Sequence, residues 1–147
     1  MRRKKLLAVS IVAVVAGASG CGSTAAGQDG RLQVVAAENV WGSLAAQVGG
    51  DRAQVASVIT SPATDPHDYE PTAVDARALA GAQLVLVDGI GYDPWARKLL
   101  DANPVDGRIV LDVGRLLGIA PGGNPHRWYS PADVGRVIRA IARDYAK

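Results

Sequence analysis

Apolar residues recur along this chain in two alternating rhythms. Leu32–Ala37, Ala53–Ile59, Leu84–Val87 and Arg108–Asp112 are short runs rich in Val, Ile and Leu, and each reads as a β-strand. Between them lie helical patterns. Val40–Val48 ends at Gly49-Gly50, with Asn39 as its expected cap. Thr72 with Asp75 three residues later predicts a capping box, and that helix stops at Gly81. Asp93-Pro94 forms an N-cap and N1 pair for a helix presenting Trp95, Leu99 and Ala102. Ser130-Pro131, with Asp133 completing a capping box, opens the last helix. Its apolar face is Val134, Val137, Ile138, Ile141, Ala142 and Tyr145. Strand and helix alternating in this way predict an α/β lobe with a four-stranded, mainly parallel sheet flanked by helices on both faces.

The N-terminus follows a different rule. Arg2, Arg3, Lys4 and Lys5 precede an apolar run from Leu6 to Ala16, too short for a comfortable span, and then Ala18-Ser19-Gly20-Cys21. This pattern resembles a bacterial lipoprotein signal, with Ala18 where Leu, Val or Ile is usual. It implies a signal peptide at 1–20 and a lipid on Cys21. Cys21 is the chain's one cysteine, so it has no intramolecular disulfide partner. Residues 21–31 are rich in Gly, Ser and Ala and read as a flexible tether, leaving 32–147 as a single α/β lobe.

Processing also changes the charge. The full chain carries 16 basic and 14 acidic residues; without the four basic residues of the signal it keeps 12 against 14, near −2. No Lys/Arg-rich run remains, which argues against nucleic acid as a partner.

The chemistry centres on two histidines in nearly the same local sequence, Asp65-Pro66-His67-Asp68-Tyr69 and Asn124-Pro125-His126-Arg127-Trp128-Tyr129. His67 follows the second strand and His126 the fourth, so both loops leave the carboxyl edge of the sheet, where such folds build their sites. Imidazole is the commonest metal ligand, and a preceding proline limits the freedom of each loop. Asp65, Asp68 and Glu70 lie close enough in sequence to take the second ring N–H of a metal-bound His67. Trp41, Trp95 and Trp128 read as packing residues, with Trp128 a wall of the site. A two-histidine metallohydrolase would use Glu70 or Asp68 as its base, but the chain has no His-Glu-x-x-His and no nucleophile elbow. The expected role is therefore binding, with no enzymatic activity.

Taken in order, these segments resemble the solute-binding lipoproteins of bacterial zinc and manganese ABC importers, the cluster A-I metal-binding family. The resemblance rests on the lipoprotein signal, Ala37-Glu38-Asn39-Val40-Trp41-Gly42, Asp65-Pro66-His67-Asp68-Tyr69-Glu70-Pro71-Thr72, Gly81–Gly89, Gly91-Tyr92-Asp93-Pro94-Trp95 and Asn124–Tyr129. It implies two α/β lobes joined by a long helix, with the metal between them. His67 and His126 map onto the N-terminal ligand pair, and a His or Glu plus an Asp come from a second lobe. The chain is expected to be the N-terminal lobe only, with the C-terminal lobe absent. The implied function is capture of Zn²⁺, or alternatively Mn²⁺, outside the membrane and delivery to an ABC permease by a lipid-anchored protein at the cell surface or in the periplasm. Two departures stand out: Ser130 replaces a common Asp, and no His-rich stretch precedes His126. The alternatives are a surface adhesion or interaction lipoprotein and a truncated remnant with weak metal binding.

Overall fold

A computed structural model describes residues 30–147. The expected signal peptide, Cys21 and most of the 21–31 tether lie outside the described residues. The strands are β1 (Leu32–Glu38), β2 (Ala53–Ile59), β3 (Leu84–Val87) and β4 (Ile109–Asp112). The helices are α1 (Asn39–Gly49), α2 (Ala73–Gly81), α3 (Pro94–Ala102), α4 (Val113–Leu117) and α5 (Pro131–Tyr145). All neighbouring strands pair in parallel, in the order β2-β1-β3-β4.

Alternation along the strands divides the core in two. Val34, Ala36, Leu84, Leu86 and Leu111 pack with Trp41 and Ala45 of α1 and with Val137, Ala140 and Ile141 of α5. Val35, Ala37, Val85 and Val87 pack on the other face with Leu79 of α2 and Trp95, Ala96 and Leu100 of α3. Successive strand residues thus feed opposite cores, which is why the central strands β1 and β3 read as nearly continuous apolar runs.

The strand expectations agree with the structure to within a residue at each end. The caps agree less well. Thr72 and Asp75 do form a capping box. Glu38, not Asn39, occupies the N-cap of α1, and the Asn39 amide instead donates to the Thr60 carbonyl at 3.2 Å. Asp93 stands at the N-cap of α3 but turns its carboxylate back to the amides of Asp88 (2.8 Å) and Gly89 (2.9 Å). Ser130 caps α5 by accepting from Asp133 N, but the Asp133 carboxylate pairs with the Arg127 guanidinium and does not close the box. In each case another polar partner outcompetes the helix start: a carbonyl acceptor for Asn39, backbone N–H donors for Asp93 and a cation for Asp133. On α3 the buried residues are Trp95, Ala96 and Leu100, while Ala102 is exposed. The short α4 and the 3₁₀ turns at Gly50–Arg52 and Arg127–Tyr129 were not expected from the sequence.

Candidate metal site

Both histidines sit in the same turn. The backbone N–H of His67 donates to Asp65 Oδ1 at 2.9 Å, and its ring Nδ1 lies 2.8 Å from the same oxygen. At the second loop, the backbone N–H of His126 donates to Asn124 Oδ1 at 2.9 Å, and ring Nδ1 lies 3.0 Å from it. This is an Asx turn across a proline, made twice.

The turn also fixes the tautomer. An ionised carboxylate only accepts, and the two His67 hydrogen bonds hold Asp65 below the usual carboxylate range. Asn124 could present oxygen or nitrogen, but a backbone N–H only donates, so the atom facing it is oxygen. Nδ1 therefore carries the proton in both neutral rings, and Nε2 keeps its lone pair. That is the arrangement of a metal-ready imidazole, with its other nitrogen tied to a carboxylate or amide oxygen.

Tyr92 brings the two loops together. Its ring meets His67 edge-on at 4.9 Å between centroids and His126 at 5.7 Å. Trp128 packs against His126 at 5.1 Å and against Tyr92 at 5.6 Å, and it meets Trp41 at 6.1 Å. The Tyr92 turn follows β3 and runs through three positive φ angles, Gly89 at 72°, Ile90 at 61° and Gly91 at 91°. A β-branched residue in that region is strained, and such strain gathers where a fold must present a side chain.

Beneath these rings lie buried carboxyls. Glu38 ends β1, Asp88 directly follows β3, and Asp93 follows the Tyr92 turn; none is more than 4% exposed. Burial first, then the charges of Asp93 and Asp88, raise the Glu38 pKa to about 9. Burial likewise lifts Asp88 to about 7, although the indole N–H of Trp41 donates to its Oδ1 at 2.8 Å. Asp93 is raised by burial against the pull of its two backbone donors.

Of the residues expected from sequence, His67, His126 and Asp65 come together as a unit, and Trp128 is a wall. Asp68 and Glu70 are exposed, and no hydrogen bond ties either to His67. Tyr92, Glu38 and Asp88 were not singled out as site residues. The two acids carry a legible signal, an apolar strand that runs straight into an acid at its carboxyl end, as at Glu38, Asp88 and Asp112; Tyr92 carries none. Among the described residues, no group of three or more His, Cys, Asp or Glu side chains is arranged to hold a metal ion.

Known proteins share this sequence pattern and fold. The family model "ZnuA: Zinc-uptake complex component A periplasmic" matches residues 34–147. The manganese-binding lipoprotein MntA of Halalkalibacterium halodurans is 26% identical over 143 residues, covering 92% of this chain and 46% of MntA. The iron-binding protein YfeA of Yersinia pestis is 30% identical over 122 residues, covering 77% of this chain and 38% of YfeA. Among solved structures, the Zn(II)-bound ZnuA-like domain of Streptococcus pneumoniae AdcA superposes with a TM-score of 0.68 at 28% identity, covering 80% of this chain and 46% of that one. The chain spans less than half the length of the curated relatives it matches.

Proposed function

The chain belongs to the ZnuA family of periplasmic zinc-uptake components, and we propose that it captures a divalent metal ion outside the membrane for an ABC importer. His67 and His126 are the ligands this chain contributes. The observation that carries the reading is the repeated Asx-Pro-His turn. It fixes two imidazoles against one tyrosine ring with both Nε2 lone pairs available.

The ion is cargo, so it must be bound and then released. A hydrated cation would exchange two waters for two imidazole nitrogens, at about 2.0–2.1 Å for zinc. Rings already locked by Asp65 and Asn124 lose little freedom on binding. Two imidazoles leave the other coordination positions to water or to residues outside these 147, such as the second lobe the family resemblance implies. Zinc is our first choice and manganese the alternative. Relatives named for manganese, iron and zinc make the choice a matter of the remaining ligands. Delivery to a permease and anchoring through a lipid on Cys21 complete the proposal.

The test is calorimetric titration of Zn²⁺ and Mn²⁺ into the chain from Cys21 to Lys147. Saturable binding in the wild type that is lost in His67→Ala and in His126→Ala supports the assignment. Equal behaviour of wild type and both variants rejects it.

A further inference from the structure

Glu38 ends β1, the strand flanked by β2 on one side and β3 on the other, so the winding of the sheet reverses beside it. In open parallel sheets, ligands seat outside the carboxyl ends of the strands at such a reversal. The Glu38 side chain is 4% exposed, yet neither Oε1 nor Oε2 has a hydrogen-bond partner. It lines a cleft of about 280 Å³ together with Tyr92, Trp128 and Pro66. Ile59, Pro62 and Tyr129 also line it; neither histidine does, but Tyr92 packs on both imidazoles, Trp128 on His126, and Pro66 directly precedes His67. Asp88, at the carboxyl end of β3, adds a second buried oxygen without a partner, Oδ2.

Buried polar atoms left unpaired are costly, and native structures keep few of them. A Met or Leu would fill the end of β1 without that cost. Arg97, a cation near this edge, is committed to Asp112 at 3.0 Å. What the Glu38 carboxyl lacks is a polar or cationic partner, and the space open to it adjoins the histidine pair.

We propose that Glu38 is a positioning residue of the cargo site, holding from the cleft, through water, the hydration of the divalent ion bound by His67 and His126. This rests on the function proposed above. Glu38 is not a direct ligand here; it acts on water that the ion retains and behind the Tyr92 ring against which both imidazoles pack. The charged and titratable neighbours that act on it are Asp88, Asp93 and Tyr92. The buried, unpartnered state of the free carboxyl fits a group that waits for a cation.

The test compares wild type, Glu38→Gln, Glu38→Asp and His67→Ala by calorimetric titration with Zn²⁺ and Mn²⁺, with thermal unfolding of each variant. Glu38→Gln keeps the shape and removes the carboxyl, so it should fold normally and bind at least about tenfold more weakly, as loss of an outer-sphere partner does. Glu38→Asp packs worse and should unfold at a lower temperature, yet bind more tightly than Glu38→Gln because it keeps the carboxyl. A structural role alone would give the opposite order of affinities. If Glu38→Gln binds both ions like wild type while His67→Ala does not bind, the inference falls and the histidine assignment stands. If His67→Ala binds like wild type, or if wild type does not bind, both fall.

Discussion

Asp65 accepts two hydrogen bonds from His67, one from the backbone N–H and one from ring Nδ1, at 2.9 and 2.8 Å. One carboxylate oxygen thereby sets the loop and the tautomer together. At His126 the same place is taken by a neutral amide, Asn124. The two ligands of the proposed site are therefore matched in geometry, with a charged anchor at His67 and a neutral one at His126.

That inequality gives the first prediction. Asp65→Asn makes the first turn a copy of the second and should weaken Zn²⁺ binding only a few-fold. Asp65→Ala removes the anchor and should cost about 10- to 100-fold. Long-range ¹H–¹⁵N spectra of the imidazoles supply the readout. Wild type should show the Nδ1–H tautomer in both neutral rings, and Asp65→Ala should lose that bias at His67 alone. A dominant Nε2–H tautomer in the wild type would sink the argument.

The second prediction concerns Trp41 and Asp88. The indole N–H is the donor that lowers the proton affinity of a carboxyl with no solvent exposure. Trp41→Phe leaves Oδ1 unpaired beside an already unpaired Oδ2, and should cost about 1–3 kcal/mol on that account, with a further loss from reduced packing. In the Asp88→Asn background the polar part should shrink, because a neutral amide is cheaper to leave buried. Urea midpoints for the four proteins of this double-mutant cycle would show coupling of about 0.5–3 kcal/mol. Strict additivity would mean that the bond contributes nothing.

Stability should also depend on pH in a set direction. Glu38 titrates near 9 when folded against an ordinary 4.5, and Asp88 near 7 against 3.8. Between those limits the folded chain holds protons that the unfolded chain has released, so stability falls as pH rises. The opposite contribution comes from Asp75 and Asp144, whose folded pKa values are lowered by hydrogen bonds that overcome burial. Their stabilisation is present above about pH 4 and is lost as acid protonates them. The urea midpoint should therefore peak near pH 5 and decline toward pH 9, and Glu38→Gln should flatten most of the decline. A midpoint that rises from pH 5 to pH 9 would contradict the buried-carboxyl account.

Much of this architecture is written in local pattern. Leu84–Val87 can only be a short strand buried on both faces, and the Thr72/Asp75 pair announces α2. The Pro-His repeat points to the site because both loops leave the same sheet edge. Other features depend on how the chain folds back on itself. Asp93 reads as a helix cap until the turn after β3 brings the Asp88 and Gly89 amides onto its carboxylate, and Trp41 reads as packing until Asp88 appears 47 residues later. Glu38 looks like a strand-ending acid on a wet surface, and only the folded structure shows it buried in a cleft it shares with Tyr92 and Trp128.

The turn that presents Tyr92 supplies the last prediction. The N–H of Tyr92 donates to the Gly89 carbonyl at 2.8 Å, and Gly89 has φ of 72°. A Cβ at Gly89 would collide with Asp112 Oδ1 and lie 2.9 Å from its Cγ. Asp112 is not free to move away, because it caps α4 through Arg115 N at 2.9 Å and pairs with Arg97 at 3.0 Å. Gly91 also has a positive φ, 91°, but nothing lies within 4 Å of a Cβ placed there. Gly91→Ala should thus cost only the left-handed backbone term, about 1–2 kcal/mol. Gly89→Ala adds a steric term of about 1–3 kcal/mol, and it should shift the Tyr92 ring against which both histidines pack. Urea unfolding of the two variants separates the terms, and Zn²⁺ titration should find binding weakened more by Gly89→Ala than by Gly91→Ala. Equal effects at the two glycines would show that Asp112 does not constrain the turn.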